Sequence, residues 1–340
     1  MTPNSPTQSS MFPNTLGYKS ELQTDAEGVL HHLLTLDGMS RATLSRLLDR
    51  AQEFAEGQAA PDTLRGTAVC TLFFEPSTRT RLSFQRAAQR LGADVLNFDA
   101  ATSSTTKGET ARDTLKNIEA MGVRGFVIRH HEDGVLNELA RHIDPDTRLI
   151  NAGDGRSAHP TQGLLDMLTL RQARGEDFSK LRVAIVGDVL HSRVARSDLH
   201  ALRTMGVRDI RICGPAALLP PVDDNGGMLH GCTVTHDFDE ALEGADVLMM
   251  LRLQRERMEQ GLVTSLDAYH RAYCLTETRL KRAAPGALVM HPGPINRGVE
   301  IDDAVADGPQ SLILRQVANG VFVRMAVLEA LLFKPKIDAA

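Results

Sequence analysis

Ala68-Val69-Cys70-Thr71-Leu72-Phe73-Phe74-Glu75-Pro76-Ser77-Thr78-Arg79-Thr80-Arg81 is the stretch on which the fold turns. Residues 68–74 form a continuous apolar run of strand length, the pattern of a buried strand. Phe84, Ala87, Ala88 and Leu91 then recur at i, i+3, i+4 and i+7, a helical stripe stopped by Gly92. Ser77–Thr80 therefore lie where a strand turns into a helix N-terminus. Free backbone N–H groups and the positive end of the helix dipole converge there. Ser77, Thr78 and Thr80 add hydroxyls, and Arg79 and Arg81 add guanidiniums. That combination is an anion site, most simply a phosphate site. The plain alternative is a serine cap followed by exposed arginines, but two arginines this close repel unless an anion compensates them.

Outward from this turn the chain alternates. A helix capped by Ser40 carries Leu44, Leu47, Leu48, Ala51 and Phe54 on one face. Strands are predicted at Val95–Phe98, Gly125–Arg129 and Leu149–Gly153. Helices are predicted at Asp113–Met121, with Leu115, Ile118 and Met121 on one side, and at Val135–His142. Pro160–Leu170 reads as a helix leaving this domain, with Leu164, Leu165 and Leu168 as its stripe. A second alternation has strands at Leu181–Asp188, Ile210–Cys213, Val247–Leu251 and Ala287–His291. The expected class is α/β: two parallel-sheet domains joined by interdomain helices, with functional residues at the carboxyl ends of strands. The expected division is a flexible extension over 1–25, domains over 26–160 and 161–310, and a final helix over 311–340 packing back across both.

At 340 residues the chain is long enough for two domains. Its apolar share of 42% and charged share of 24% are ordinary for a soluble globular protein. A net charge of −5 gives no general attraction for nucleic acid, so anion binding must be local. No apolar run is of membrane-spanning length, and the N-terminus shows no secretory pattern, so a cytoplasmic protein is expected. Cys70, Cys213, Cys232 and Cys274 are scattered and read as buried reduced thiols, not as a disulfide framework or a zinc site. Val186-Gly187-Asp188 is not followed by the glycine pattern of a dinucleotide-binding turn.

Further residues stand at strand ends or in polar loops. Ser103-Ser104-Thr105-Thr106-Lys107-Gly108-Glu109 could cover an anionic ligand or be a solvated loop. Arg129, Arg193, and Arg252 with Gln254 place cationic or amide donors beyond strands, where a structural ion pair is the alternative. His159 precedes Pro160-Thr161-Gln162 at a strand-to-helix junction. His291-Pro292-Gly293-Pro294 is a rigid turn able to aim carbonyls at a ligand.

These motifs together resemble the transcarbamoylase family. Ser77-Thr78-Arg79-Thr80-Arg81 is similar to its phosphate signature. The Lys107 loop, His159-Pro160-Thr161-Gln162 and Arg252-Leu253-Gln254 resemble the catalytic chains of its aspartate branch. The likeness covers about residues 28–333. Ornithine-specific relatives carry His-Cys-Leu-Pro where this chain has His291-Pro292-Gly293-Pro294, and they lack the lysine loop. The resemblance implies transfer of a carbamoyl group from carbamoyl phosphate to L-aspartate, an early step of de novo pyrimidine biosynthesis, with no cofactor and no metal. It implies that Ser77, Thr78, Arg79, Thr80 and Ser103 bind the phosphate end. Thr80, Arg129 and His159 would meet the carbamoyl oxygen, and Gln162 with the carbonyls of Gly293 and Pro294 the carbamoyl amino group. Arg193, Arg252, Gln254 and Lys107 would hold aspartate, with Lys107 also counted among the catalytic groups. It further implies a homotrimer in which Ser103 and Lys107 enter a neighbouring subunit's site, and a dihydroorotase-like partner for extended chains. A transcarbamoylase for ornithine and a non-catalytic assembly subunit are the competing readings.

Overall fold

The computed structural model describes residues 20–25, 28–58, 60, 62–99, 108–222, 227–253 and 265–333. The apolar run becomes β1 (Ala68–Phe73), flanked in parallel by β2 (Asp94–Asp99) and β3 (Gly125–His130), with β4 (Arg148–Asp154) beside β3. The sheet order is β2-β1-β3-β4. A second parallel sheet contains β5 (Arg182–Val186), β6 (Asp209–Cys213), β7 (Thr233–Thr235), β8 (Val247–Met250) and β9 (Leu288–Met290), in the order β7-β6-β5-β8-β9. Two α/β units with parallel sheets are thus present, as the alternation predicts.

The helices are α1 (Arg41–Ala55), α2 (Thr78–Arg90), α3 (Ala111–Ala120), α4 (Val135–Ala140), α5 (Pro160–Arg174), α6 (Arg193–Met205), α7 (Phe238–Leu242), α8 (Leu266–Tyr273), α9 (Glu277–Leu280), α10 (Asp303–Ala306) and α11 (Ile313–Leu332). Ser40 caps α1 by accepting from the Thr43 N–H, and the expected apolar face of α1 is buried. The last helix, α11, packs on α1, α2 and α5 and reaches β9 of the second sheet. Arg50 of α1 grips Glu329 of α11 with a two-pronged contact, at 2.5 Å from Nε and 2.8 Å from a terminal nitrogen.

Several expectations change. α5 does lead from the first sheet to the second with Leu164, Leu165 and Leu168 buried, but the burial is not confined to that stripe: every residue from Pro160 to Leu170 is buried. It lies against α1, α6 and α11, so all its sides meet protein. Met121 is 74% exposed at the end of α3 instead of joining Leu115, because the helix stops at Ala120. Cys70, Cys213 and Cys274 are buried, but Cys232 is only half-buried. Residues 20–25, assigned by sequence to a flexible extension, are held to the domain. Gln23 is buried, and its Oε1 accepts from the N–H groups of Leu34 at 2.6 Å and Thr35 at 2.9 Å. Residues 1–19 lie outside the described part.

Candidate active site

The carboxyl ends of β1, β3, β4, β5, β8 and β9 open onto one cleft of about 950 Å³ between the two sheets. β1 delivers Glu75 through Thr80, and β3 carries Arg129 one residue before its end. The turn after β4 leads to His159, that after β5 to Arg193, that after β8 to Arg252, and that after β9 to Gly293 and Pro294. Ser77, Thr78, Arg79, Thr80, Arg129, His159, Gln162, Arg193, Arg252, Gly293 and Pro294 all line the cleft. Ser103, Lys107 and Gln254 lie outside the described residues.

Ser77 occupies the N-cap position of α2, yet its hydroxyl makes no capping hydrogen bond. That leaves the first N–H groups of α2 and the serine hydroxyl together at the rim. Arg79 lines the cleft and Arg81 does not, so only one of the two arginines in the signature faces this space. Burial, then repulsion from Arg252, lowers the pKa of Arg79. Gly293 explains how the guanidinium fits. At φ +65° it has no Cβ, and one added there would stand 2.9 Å from the Arg79 Cζ.

Arg129 is buried at the end of β3. It donates to the Ala152 carbonyl at 3.1 Å and to Glu75 Oε1 at 2.6 Å, while its Nε has no partner among the described residues. Burial, helped by the Arg193 charge and opposed by Glu75, brings its pKa down to about 10, so it stays cationic at neutral pH. Arg193 donates to both oxygens of Glu75, at 2.6 and 3.0 Å, and to the Gly155 carbonyl at 3.2 Å. Gly153, at φ +113°, gives both arginines room: a Cβ there would lie 2.9 Å from an Arg129 nitrogen and 3.1 Å from the Arg193 Nε. Burial pushes the Glu75 carboxyl up, but the bonds and charges of Arg193 and Arg129 outweigh it and hold the group below its usual range.

His159 starts α5, where its backbone N–H donates to Ser197 Oγ at 2.8 Å. Its side chain is buried and its Nδ1 has no partner among the described residues. Burial first, then the charges of Arg129, Arg193 and Arg324, push its pKa well below the usual value. The imidazole is neutral and can offer one N–H without adding a cation. His291, by contrast, shapes the turn after β9. Its Nδ1 accepts from the Gly293 N–H at 2.8 Å, so its Nε2 carries the proton toward Glu300, 3.1 Å away.

Glu75 and Arg324 escape the sequence reading. Glu75 stands inside the quoted stretch, but nothing local shows that it joins arginines from two domains. Arg324 lines the cleft from α11 and packs over Phe84 at 4.9 Å. Burial pushes its pKa down to about 9, against the pull of Asp166. Away from the cleft, ligand atoms of His270, Cys274 and Asp302 come within 4.8 Å of one another. There the Cys274 thiol, pushed up to about 12 chiefly by burial, donates to Asp302 at 3.4 Å.

A cleft between two parallel α/β units, rimmed by arginines and a helix N-terminus, defines a protein built to hold anionic ligands. The domain family described as "Aspartate/ornithine carbamoyltransferase, carbamoyl-P binding domain" matches residues 31–172, and "Aspartate/ornithine carbamoyltransferase, Asp/Orn binding domain" matches residues 179–331. The chain belongs to the aspartate/ornithine carbamoyltransferase family. It is 71% identical over 315 residues to the aspartate carbamoyltransferase catalytic subunit of Xanthomonas campestris pv. campestris, covering 92% of this chain and 99% of that protein. The Stenotrophomonas maltophilia counterpart is 69% identical over 315 residues, covering 91% and 98%. Among solved structures, the aspartate transcarbamoylase of Trypanosoma cruzi with carbamoyl aspartate and phosphate is similar at TM-score 0.80 and 31% identity, covering 92% of this chain and 99% of that one. The ornithine carbamoyltransferase of Thermus thermophilus reaches TM-score 0.78 at 28% identity, covering 89% and 99%.

Proposed function

We propose that this chain transfers the carbamoyl group of carbamoyl phosphate to the amino group of L-aspartate, giving N-carbamoyl-L-aspartate and phosphate. The observation that carries this reading is the gathering of Arg79, Arg129, Arg193, Arg252 and a neutral His159 on one cleft. A phosphate and a dicarboxylate need this density of cations. The cationic side chain of ornithine would meet Arg193 and Arg252 unfavourably. The relatives named above at 71% and 69% identity support the same acceptor. Residues 26–160 then bind carbamoyl phosphate and residues 161–310 bind aspartate.

In this reading Ser77, Thr78, Arg79 and Thr80 hold the phosphate with the first turn of α2. The aspartate amine attacks the carbamoyl carbon, a C–N bond forms, and the C–O bond to phosphate breaks. Charge that builds on the carbamoyl oxygen meets Thr80, Arg129 and the one N–H of His159. A fixed donor of this kind is typically worth about 2.7–4 kcal/mol. The amine proton leaves on the departing phosphate. Holding both anions on one arginine-lined wall offsets their repulsion and makes the encounter local. Ser103 and Lys107 of a neighbouring copy in a homotrimer, with Gln254, complete the site; a cytoplasmic location and a dihydroorotase-like partner belong to the same proposal.

The test is product formation from carbamoyl phosphate by the purified chain, with aspartate and ornithine in parallel. Turnover with aspartate alone is expected. Turnover with ornithine, or none with either amine even after adding a dihydroorotase-like subunit, overturns the reading.

A further inference from the structure

Behind the cleft wall lies a buried polar cluster that the reaction chemistry leaves unused. Asp166, one helical turn after Gln162 on α5, receives the Gln162 Nε2 at 3.2 Å from both carboxylate oxygens. Gln316 of α11 donates its Nε2 to the same carboxylate at 2.7 Å, and its Oε1 accepts the His291 N–H at 3.0 Å. Asp198 of α6 is buried beside Asp166, and its Oδ1 has no hydrogen-bond partner among the described residues. Two buried carboxyls side by side do not both ionise. Asp198 keeps the proton, because burial first and the Asp166 charge second raise it far above the ordinary range.

Burial lifts Asp166 as well, to about 6, against the Gln316 and Gln162 bonds that favour its charge, so above that pH it is ionised and can only accept. Gln162 must therefore turn its NH₂ toward Asp166, which leaves its carbonyl oxygen on the opposite side of the planar amide, toward the cleft that Gln162 lines. A carbamoyl NH₂ is a donor and needs that acceptor. We propose that Asp166 is a positioning residue: it fixes the Gln162 amide with its oxygen toward the carbamoyl amino group and, through Gln316, ties that amide to the His291–Pro294 turn. The inference rests on the carbamoyl-transfer reading above.

The discriminating probe is acetyl phosphate, which has a methyl where carbamoyl phosphate has its amino group. In Asp166→Asn the new amide can donate to Gln162, which then flips and presents NH₂ to NH₂. The KM for carbamoyl phosphate is expected to rise about tenfold, while inhibition by acetyl phosphate stays essentially unchanged. Adding Gln162→Glu to Asp166→Asn restores an acceptor facing the cleft, and the double variant is expected to recover most of the loss. An equal weakening for both phosphates, or a double variant no better than the single, overturns the proposal. Thermal melts accompany each variant. Should Asp166→Asn alone fail to fold, the double variant decides: binding near the parent's supports positioning, and binding as poor as in Gln162→Ala overturns it. Direct calorimetric binding of the two phosphates reads the carbamoyl end by itself. A parent chain that binds them but does not turn over aspartate thus counts against the proposed function and not against this inference.

Discussion

Glu75 holds Arg129 at 2.6 Å and Arg193 at 2.6 and 3.0 Å, so one carboxylate ties the end of β3 to the start of α6. Glu75→Gln leaves two half-sequestered guanidiniums facing each other. Loss of one partner of such a buried cluster costs about 3 kcal/mol, read as a lowered Tm. Millimolar phosphate should then raise the Tm of the variant more than that of the parent, because an anion replaces the missing charge. An equal phosphate shift in both would show that Glu75 does not screen these arginines. His159 makes a second case. Its neutral ring and buried position suit a donor to the carbamoyl oxygen better than a base. His159→Ala is expected to lower kcat about 10²–10³-fold with a much smaller change in carbamoyl phosphate KM; equal losses would mean a ground-state contact instead. At this scale the Ser77–Arg81 signature was legible because hydroxyls, guanidiniums and a helix start coincide in sequence. Glu75 and Arg324 were not, because their partners lie far along the chain and leave no local pattern.

At the scale of elements, the turns after strands set where the cations point. Gly293 shows the constraint: with φ +65° and Arg79 Cζ 2.9 Å from any added Cβ, Gly293→Ala both strains the turn and displaces the guanidinium. A stability loss of about 1–3 kcal/mol is expected together with weaker phosphate binding, measurable by melting and by calorimetry. A variant that melts lower but binds phosphate like the parent would confine the role of Gly293 to the backbone. The β1–turn–α2 unit could be read directly from period and punctuation. α5 could not. Thr169 donates to the Leu165 carbonyl at 2.7 Å and accepts from Asn319 of α11 at 2.9 Å, so a polar face becomes buried through a helix remote in sequence. β7 is a strand because Thr233–Thr235 pair with Arg211–Cys213, and three residues are too few to show a period.

For the whole molecule, the sequence placed single residues at single strand ends, but only the packing of two sheets brings six such ends to one cleft. The same packing sets the response to acid. His32, His130, His159 and His200 all have their pKa lowered, in each case chiefly by burial, and His32 falls to about 4. In the unfolded chain these rings take up protons near the usual value of 6.5, while in the folded chain they take them up only at lower pH. The unfolded state thus binds more protons, so stability rises with pH through this range and is lost as pH falls below about 6.5. Asp198, raised, pulls the other way because the folded state holds its proton, and Asp166, raised to about 6, joins it only at the acid end of the range; the four imidazoles act against them below 6.5. Tm is expected to fall by several degrees between about pH 7.5 and about pH 5.5, before the lowered Glu75 and Glu119 begin to add their loss near the usual glutamate range. His32 offers the check on cause. Its Nδ1 accepts from the Leu149 N–H at 3.2 Å, which requires the neutral ring. His32→Asn keeps an acceptor there and removes one titrating group, so its Tm should fall less steeply with acid than the parent's. A slope unchanged by that substitution, or a parent Tm that rises toward pH 5.5, would assign the acid response to other groups.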